Sequence, residues 1–457
     1  MLTVPIMDYL PESNGLNSRW LVAQEGSRQT YGIPVSFHRL DRLRFMYVDI
    51  WCSRGRSWLQ RGPAKVRALA TRFNSEIPRE RVVPFTSTAT LWRAAQNLRR
   101  RKLSRFEMSN EFCSFGRWYA LKIRRHLARI DLNSEADHFF GFNSNCLEAL
   151  ECLKERQIFT VVDQVDPGLF EEEIVLEEAE RWPGWEGIPG RMSQGYWDRV
   201  RAEWAAANLV LVNSNWSREA LLKQGVPEKK IIVVPLAIDM AENHVPEAIN
   251  PEGPLKVLWL GSVILRKGIQ YLVEAARKLE RQKVEFLLAG PLGISEQAVR
   301  SFPSNIKVLG RVTRDQLSVY YRQAHLFVLP TLSDGFAITQ LEAMAHGLPV
   351  VTTSNCGNVV TDGVDGVIVP ARDSEALANV IARLDADRPR LRAMSCNTLL
   401  TILKYDLLSN ASMINDMVAK HRLSLQTKVW HPIPHSSYFA VAPSDPTIKN
   451  RNHIINH

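Results

Sequence analysis

Residues 325–347 read HLFVLPTLSDGFAITQLEAMAHG. The apolar run at 326–329 has strand length, and Pro330 ends it. Ser333, Asp334 and Gly335 are helix-start residues and 336–345 has helix-forming composition, so the stretch predicts strand, loop and helix. Asp334 and Glu342 are eight positions apart, a little over two turns at ~3.6 residues per turn, with Asp334 at the helix mouth. A helix beginning at Phe336 would leave the backbone N–H groups of Gly335, Phe336 and Ala337 unpaired, which is an anion-binding arrangement. Such a start with two acids suits a ligand carrying both phosphate and hydroxyl groups. The plainer alternative is an ordinary capped helix with Glu342 on its surface.

Outward from this unit the second half alternates regularly. Strands are predicted at 256–260, 284–289, 306–309, 348–352 and 367–369, with helices at 269–279, 315–322 and 374–384. Strands alternating with helices of this length imply a parallel sheet covered on both faces. Right-handed crossovers then place the strand-end loops on one edge, where such sheets bind ligands. The first loop, GSVILRKG (261–268), offers Gly261 for close backbone approach, with Arg266 and Lys267 as a fork and a point charge suited to a diphosphate. In LAGPLG (288–293), Gly290 allows a tight turn; in LGRVTRDQL, Arg311 and Val312 stand where backbone groups could bracket a flat base.

The first half reads as a second α/β unit. Strands are predicted at 20–23, 138–142, 158–162, 209–212 and 231–234, with a Gly-bearing loop EGSRQTYG, a helical basic region and an acidic helix EEEIVLEEAERW between them. The expected organisation is a first domain over 1–240, a proline-bearing linker over 241–254 and a second domain over 255–395. A helix over 396–422 is expected to return to the first domain, and 423–457, rich in Pro, His and Asn, to be a poorly ordered tail.

At 457 residues, 45% hydrophobic and 23% charged, the chain has the composition of a globular protein with more than one core. No apolar run approaches the ~18 to 20 residues that span a bilayer, and the first residues lack the basic segment of a signal peptide. Six cysteines without CxxC or metal-ligand spacing predict reduced thiols and a cytoplasmic location. The net charge of +9 is uneven: residues 51–130 hold 19 Lys/Arg against 4 Asp/Glu, a local charge of +15. A solvated face and an anionic membrane surface at the inner side of the cytoplasmic membrane are the two main readings; nucleic acid is not expected, because no nucleic-acid motif accompanies the charge.

The blocks GSVILRKGIQYLVEA, EFLLAGP, VLGRVTRDQLSVYYRQAHLFVLP, SDGFAITQLEAMAHGLPVV and VTDGVDGVIVP, in this order, resemble family 4 of the retaining glycosyltransferases; NLVLVNSNWSREALLKQGVPEKKIIVVPLAID matches the end of that family's first domain. The resemblance implies a GT-B arrangement of two Rossmann-like α/β domains with parallel sheets facing across a cleft. It implies transfer of a sugar, with retention, from a UDP- or GDP-sugar to a hydroxyl of a glycan or lipid-linked acceptor in surface polysaccharide or glycolipid synthesis. The family's E-x7-E motif falls on Asp334 and Glu342, so that Glu342 would hold the ribose and Asp334 the donor sugar. Lys267 matches the diphosphate lysine, and Gly335, Phe336 and Ala337 the phosphate-facing backbone. Three positions depart from the pattern: Asp334 stands for Glu, Ser262 for a common arginine that Arg266 would replace, and TVVDQVDPG lacks the usual histidine. On the acceptor side Asp163, Gln164 and Asn143 are then the candidates. No DxD pair is placed to hold a divalent ion, so the expectation is metal-independent chemistry with no cofactor beyond the donor. A nucleotide-sugar epimerase and an inactive nucleotide-sugar-binding subunit remain as alternatives.

Overall fold

The computed structural model describes residues 18–97, 103–188, 190–239 and 253–427. Most of the expected linker, the tail beyond 427 and the arginine run at 99–101 lie outside them. Among the described residues no helix is long and apolar enough to cross a membrane.

The first sheet contains β1 (Arg19–Gln24), β2 (Leu43–Val48), β3 (Val82–Pro84), β4 (Asp137–Phe142), β5 (Phe159–Gln164), β6 (Leu209–Val212) and β7 (Ile231–Val233). Its order is β3-β2-β1-β4-β5-β6-β7, and every pairing is parallel. The second sheet contains β8 (Leu255–Leu260), β9 (Val284–Ala289), β10 (Ile306–Gly310), β11 (Leu326–Leu329), β12 (Val350–Thr352) and β13 (Gly366–Ile368), ordered β10-β9-β8-β11-β12-β13 and again wholly parallel. Both are Rossmann-like orders, and each reverses direction between its first and fourth strands. Loops leaving the carboxyl ends of β1 and β4, and of β8 and β11, therefore open a crevice that helices cannot close. Strands such as β6 and β11 are buried along their whole length, which is why they read as continuous apolar runs.

Two features differ from expectation. The basic region is not purely helical: β2 precedes it and the short edge strand β3 lies within it, between helices that include Thr86–Asn97 and Arg105–Leu127. The helix predicted from Phe336 begins at Thr339 and ends at Ala345.

The two domains meet through main chain as well as side chains. Gly187 N donates to Gly293 O (3.0 Å), Ser295 N to Trp185 O (2.8 Å) and Ile238 N to Tyr405 O (3.0 Å). Near the C-terminal end, Ile402 is packed in the second domain's core, whereas Asn410 Nδ2 donates to Pro235 O (2.6 Å) and Asn415 Oδ1 accepts from Ser18 Oγ (2.7 Å), both in the first domain. The last helix is Leu407–Thr427, and the compact unit that holds both sheets ends at Met417.

Candidate active site between the domains

After β8 the chain makes a single 3-10 turn, Leu265–Lys267, and leaves it through Gly268 at φ 72°. A Cβ on Gly268 would lie 1.8 Å from the Pro330 carbonyl oxygen, so only glycine permits this approach of the β8 and β11 loops. The approach puts Arg266 and Lys267 against the loop 330–335. Lys267 Nζ contacts the Asp334 carboxylate, and Arg266 Nη1 lies 3.6 Å from the same oxygen while donating to Ser333 O at 2.6 Å. Burial, and then the neighbouring Arg266 charge, pull the Lys267 ammonium down from 10.5 to about 7. The Asp334 carboxylate in contact favours the charged form against burial. On the far side, a Cβ on Gly290 (φ 143°) would lie 1.7 Å from Gly261 O, so these two strand-end glycines bring their backbones together.

The expected helix-mouth anion site takes a different form. Asp334 Oδ1 itself accepts from Phe336 N (3.3 Å) and Ala337 N (3.1 Å), and Ala337 is left-handed at φ 63°. The acid has folded back to cap its own loop, which explains the later helix start: Phe336 and Ala337 form a turn that satisfies the backbone donors. Gly335 faces the other domain, with an added Cβ only 1.9 Å from Val165 O.

Glu342 lies on the helix Thr339–Ala345 and accepts from Tyr321 Oη at 2.9 Å. It lines a cavity of about 740 Å³ between the domains, together with Ile338 from its own domain, Ser27, Gln29 and Thr30 from the β1 loop, and Asp239. Gln29, Thr30 and Tyr31 are all left-handed (φ 49°, 54° and 68°), a run of backbone strain of the kind found at functional clefts. Asp334, Lys267 and Arg266 do not line this cavity, and neither do Arg311, which is exposed, or Val312, which is half-buried against the core.

On the first domain, Asp163 and Gln164 end β5 and Asn143 follows β4, at the edge facing the crevice. Asp163 accepts from Asn213 Nδ2 at 3.3 Å; burial raises its carboxyl to about 7, against the opposing charge of Arg28. Gln164 is engaged within its own domain. Its Oε1 accepts from Trp204 Nε1 (2.9 Å) and its Nε2 donates to Asp166 Oδ1 (2.8 Å), so the amide is spent inside the domain. The Asn143–Ser144 corner is held by Glu203, whose carboxylate accepts from the N–H groups of Ser144 (2.5 Å), Cys146 (2.9 Å) and Leu147 (3.1 Å).

Sequence reasoning missed the acids through which the domains share charge. Glu171, on the helix Leu169–Arg181, accepts from Arg266 Nη1 (3.3 Å) and from Ser333 Oγ (3.0 Å), and Trp216 Nε1 donates to that same hydroxyl (3.1 Å). Two turns on, the buried Glu178 accepts from Gln270 Nε2 (2.9 Å), Tyr271 Oη (3.0 Å) and Arg372 Nε (2.5 Å). The seven-residue spacing, which puts both acids on one face, was the available signal.

Comparison with known proteins agrees with this geometry. Residues 254–387 match the family model described as glycosyl transferases group 1. The amylovoran biosynthesis glycosyltransferase of Erwinia amylovora is 27% identical over 195 residues, covering 39% of this chain and 48% of that protein. The chain spans about half the length of the curated relatives it matches. Among solved structures, sucrose-phosphate synthase from Thermosynechococcus elongatus superposes with a TM-score of 0.57 at 16% identity, over 89% of this chain and 100% of that one. HepE of Anabaena, solved with UDP and glucose, gives 0.55 at 17%, over 88% and 100%. The chain has the GT-B fold, and residues 254–387, within its second domain, match the family model of the group 1 glycosyl transferases.

Proposed function

We propose that the chain is a glycosyltransferase that moves a hexosyl group from a nucleoside diphosphate sugar to an acceptor hydroxyl, with retention at the anomeric carbon. The observation that carries this reading is the convergence of Lys267, Arg266 and Asp334 at the switch point of the second sheet, directly against the first domain. In such a transfer, positive charge grows at the anomeric carbon and negative charge on the departing diphosphate. Lys267 and Arg266 are the groups that would meet the negative charge, in a buried site where fixed charges act strongly. Glu342, at the inter-domain cavity, is the acceptor for the ribose hydroxyls, and Asp334 is the acid nearest the donor sugar. Asp163, buried at the opposing sheet edge, is the first-domain group we assign to the acceptor side.

The chemistry we propose needs no divalent ion, because the two cations take its place; activity is expected to survive EDTA. The amylovoran relative is named for a polysaccharide, which supports a glycan or lipid-linked acceptor. HepE was solved with UDP and glucose, which makes UDP the first nucleotide to test. The basic region keeps several arginines busy internally, as Arg72 and Arg93 pair with Asp49, but exposes Trp58, Leu91, Phe106 and Phe112. Apolar side chains among basic ones suit an anionic membrane surface at the cytoplasmic face.

The test is thermal shift with UDP, GDP and ADP, followed by acceptor-dependent release of nucleotide from the matching sugar. Glu342→Ala is expected to weaken nucleotide binding at least tenfold. Binding with no turnover over a broad acceptor panel would point instead to a donor-binding subunit. Cosedimentation with phosphatidylserine vesicles that is lost at high salt checks the membrane surface, and failure to bind at low salt removes it.

A further inference from the structure

Two cations and two carboxylates make up the cluster at the domain joint: Lys267 and Arg266 against Asp334 and Glu171. With Lys267 protonated, the form that its contact with Asp334 favours, the cluster is electrically neutral. A diphosphate brings at least two negative charges, and a neutral, buried cluster gives it no net attraction. One carboxylate has to give way. Asp334 is tied into its own loop by the N–H groups of Phe336 and Ala337, whereas Glu171 comes from the other domain and, among the described residues, is held through Arg266 and Ser333 Oγ.

We infer that Glu171 is a positioning residue that stands in for the diphosphate: its carboxylate occupies the Arg266 guanidinium until an incoming diphosphate displaces it. The exchange couples donor binding to the domain joint, because the group displaced belongs to the first domain and the group released to the second. Ser333 is the relay, its hydroxyl donating to Glu171 and accepting from Trp216 of the first domain. While Glu171 is seated, Arg266 Nη1 is shared among Glu171, Ser333 O and Asp334. This inference rests on the proposed function only in identifying the diphosphate with that of a sugar donor.

The experiment is calorimetric titration of inorganic pyrophosphate, and separately of UDP, GDP and ADP, into the full chain and its Glu171→Gln, Ser333→Ala and Lys267→Met variants. Glutamine keeps an acceptor for Ser333 but removes the competing charge, so pyrophosphate is expected to bind about tenfold more tightly to E171Q at pH 8, the size of one charge-assisted bond. S333A, which removes one of the two bonds holding Glu171, is expected to move the same way by about two- to threefold and serves if E171Q does not fold. Burial raises the Glu171 carboxyl, with Asp166 adding to it and Arg266, Ser333 and Lys267 opposing, and Asp334 beside the cluster. Lowering the pH protonates Glu171 and frees Arg266 in the wild type alone, so the wild-type to E171Q affinity ratio is expected to shrink toward acid. A merely structural role would not move that ratio. Unchanged or weaker pyrophosphate binding in E171Q, with binding abolished by K267M, overturns the exchange and leaves the transferase reading standing. Tighter pyrophosphate binding in E171Q with no nucleotide bound by any variant supports the exchange and overturns the transferase reading.

Discussion

Glu178 anchors the first domain in the second, and removing its carboxylate is a quantitative test of how firmly the domains are held. The side chain is fully buried and accepts from Gln270, Tyr271 and Arg372. Glu178→Ala leaves two neutral donors and one guanidinium facing a small void. Breaking a buried charge pair costs about 3–5 kcal/mol, and a hydrogen bond to a charged group about 1.5–3 kcal/mol. Arg372 is 29% exposed and recovers part of its loss from water, so the lower end applies, about 3 kcal/mol. The loss falls on the joint rather than on either sheet, because both partners of each bond lie on helices or loops that cross it. Amide hydrogen exchange reads it directly: 3 kcal/mol of lost opening free energy speeds exchange in Leu169–Arg181 about a hundredfold, with β8 and β11 unaffected. Glu178→Gln, which keeps the shape and loses the charge, is expected to show about half the free-energy change. An acceleration below about fivefold in the alanine variant, equivalent to ~1 kcal/mol, would refute the view that this carboxylate anchors the joint.

Gly335→Ala tests the closed pose itself: its Cβ would sit 1.9 Å from Val165 O against an ordinary contact of 3.4–4 Å, so the cleft must gape by more than an ångström. Transfer is expected to fall about a hundredfold with little change in thermal midpoint; full activity would show that the pose is not the working one. Gly268→Ala meets both a left-handed φ and the Pro330 carbonyl at 1.8 Å, and is expected to destabilise the second domain by at least ~2 kcal/mol in urea unfolding. For Asp163, burial raises the folded carboxyl from 3.8 to about 7, so the folded state binds the extra proton between those values. That contribution to stability is complete below the unfolded pKa and is lost as pH rises through about 7. Thermal midpoints of the wild type are expected to fall between about pH 4 and 7 relative to Asp163→Asn; parallel profiles would refute the assignment.

The second domain was nearly transparent in the sequence because its strands are buried on both faces. Phe286 to Ala289 and Leu326 to Leu329 have no solvent side to interrupt the apolar run. The first domain was less so. In β2, Arg44 interrupts the pattern, and only the fold reveals that its guanidinium pairs with buried Asp137 on β4. In β3, three residues ending in proline give no period to read, although Pro84 is tolerated at the sheet edge. At the site, Lys267, Arg266 and Glu342 carry local signals: a glycine after a basic pair, an acid on a helix. What Asp334 does is not local, since its capping role depends on the left-handed turn at Ala337. Glu171 carries within EEEIVLEEAERW only its seven-residue spacing to Glu178; its meaning comes from Arg266, 95 residues away. Gln164 shows the converse, as a polar strand-end residue whose partner, Trp204, makes it structural.

The chain leaves the first domain after Ile238 and returns to it after Tyr405, and these two passages are hydrogen-bonded side by side. A single strand between two bodies swivels about its own bonds. Two passages joined by a backbone hydrogen bond cannot swivel independently, because rotation of one carries the other. Any opening of the cleft at these passages is thus confined to one arc rather than a cone of orientations. A molecule entering the cavity would then meet Glu342 and the Gln29–Thr30 backbone from one direction on each opening.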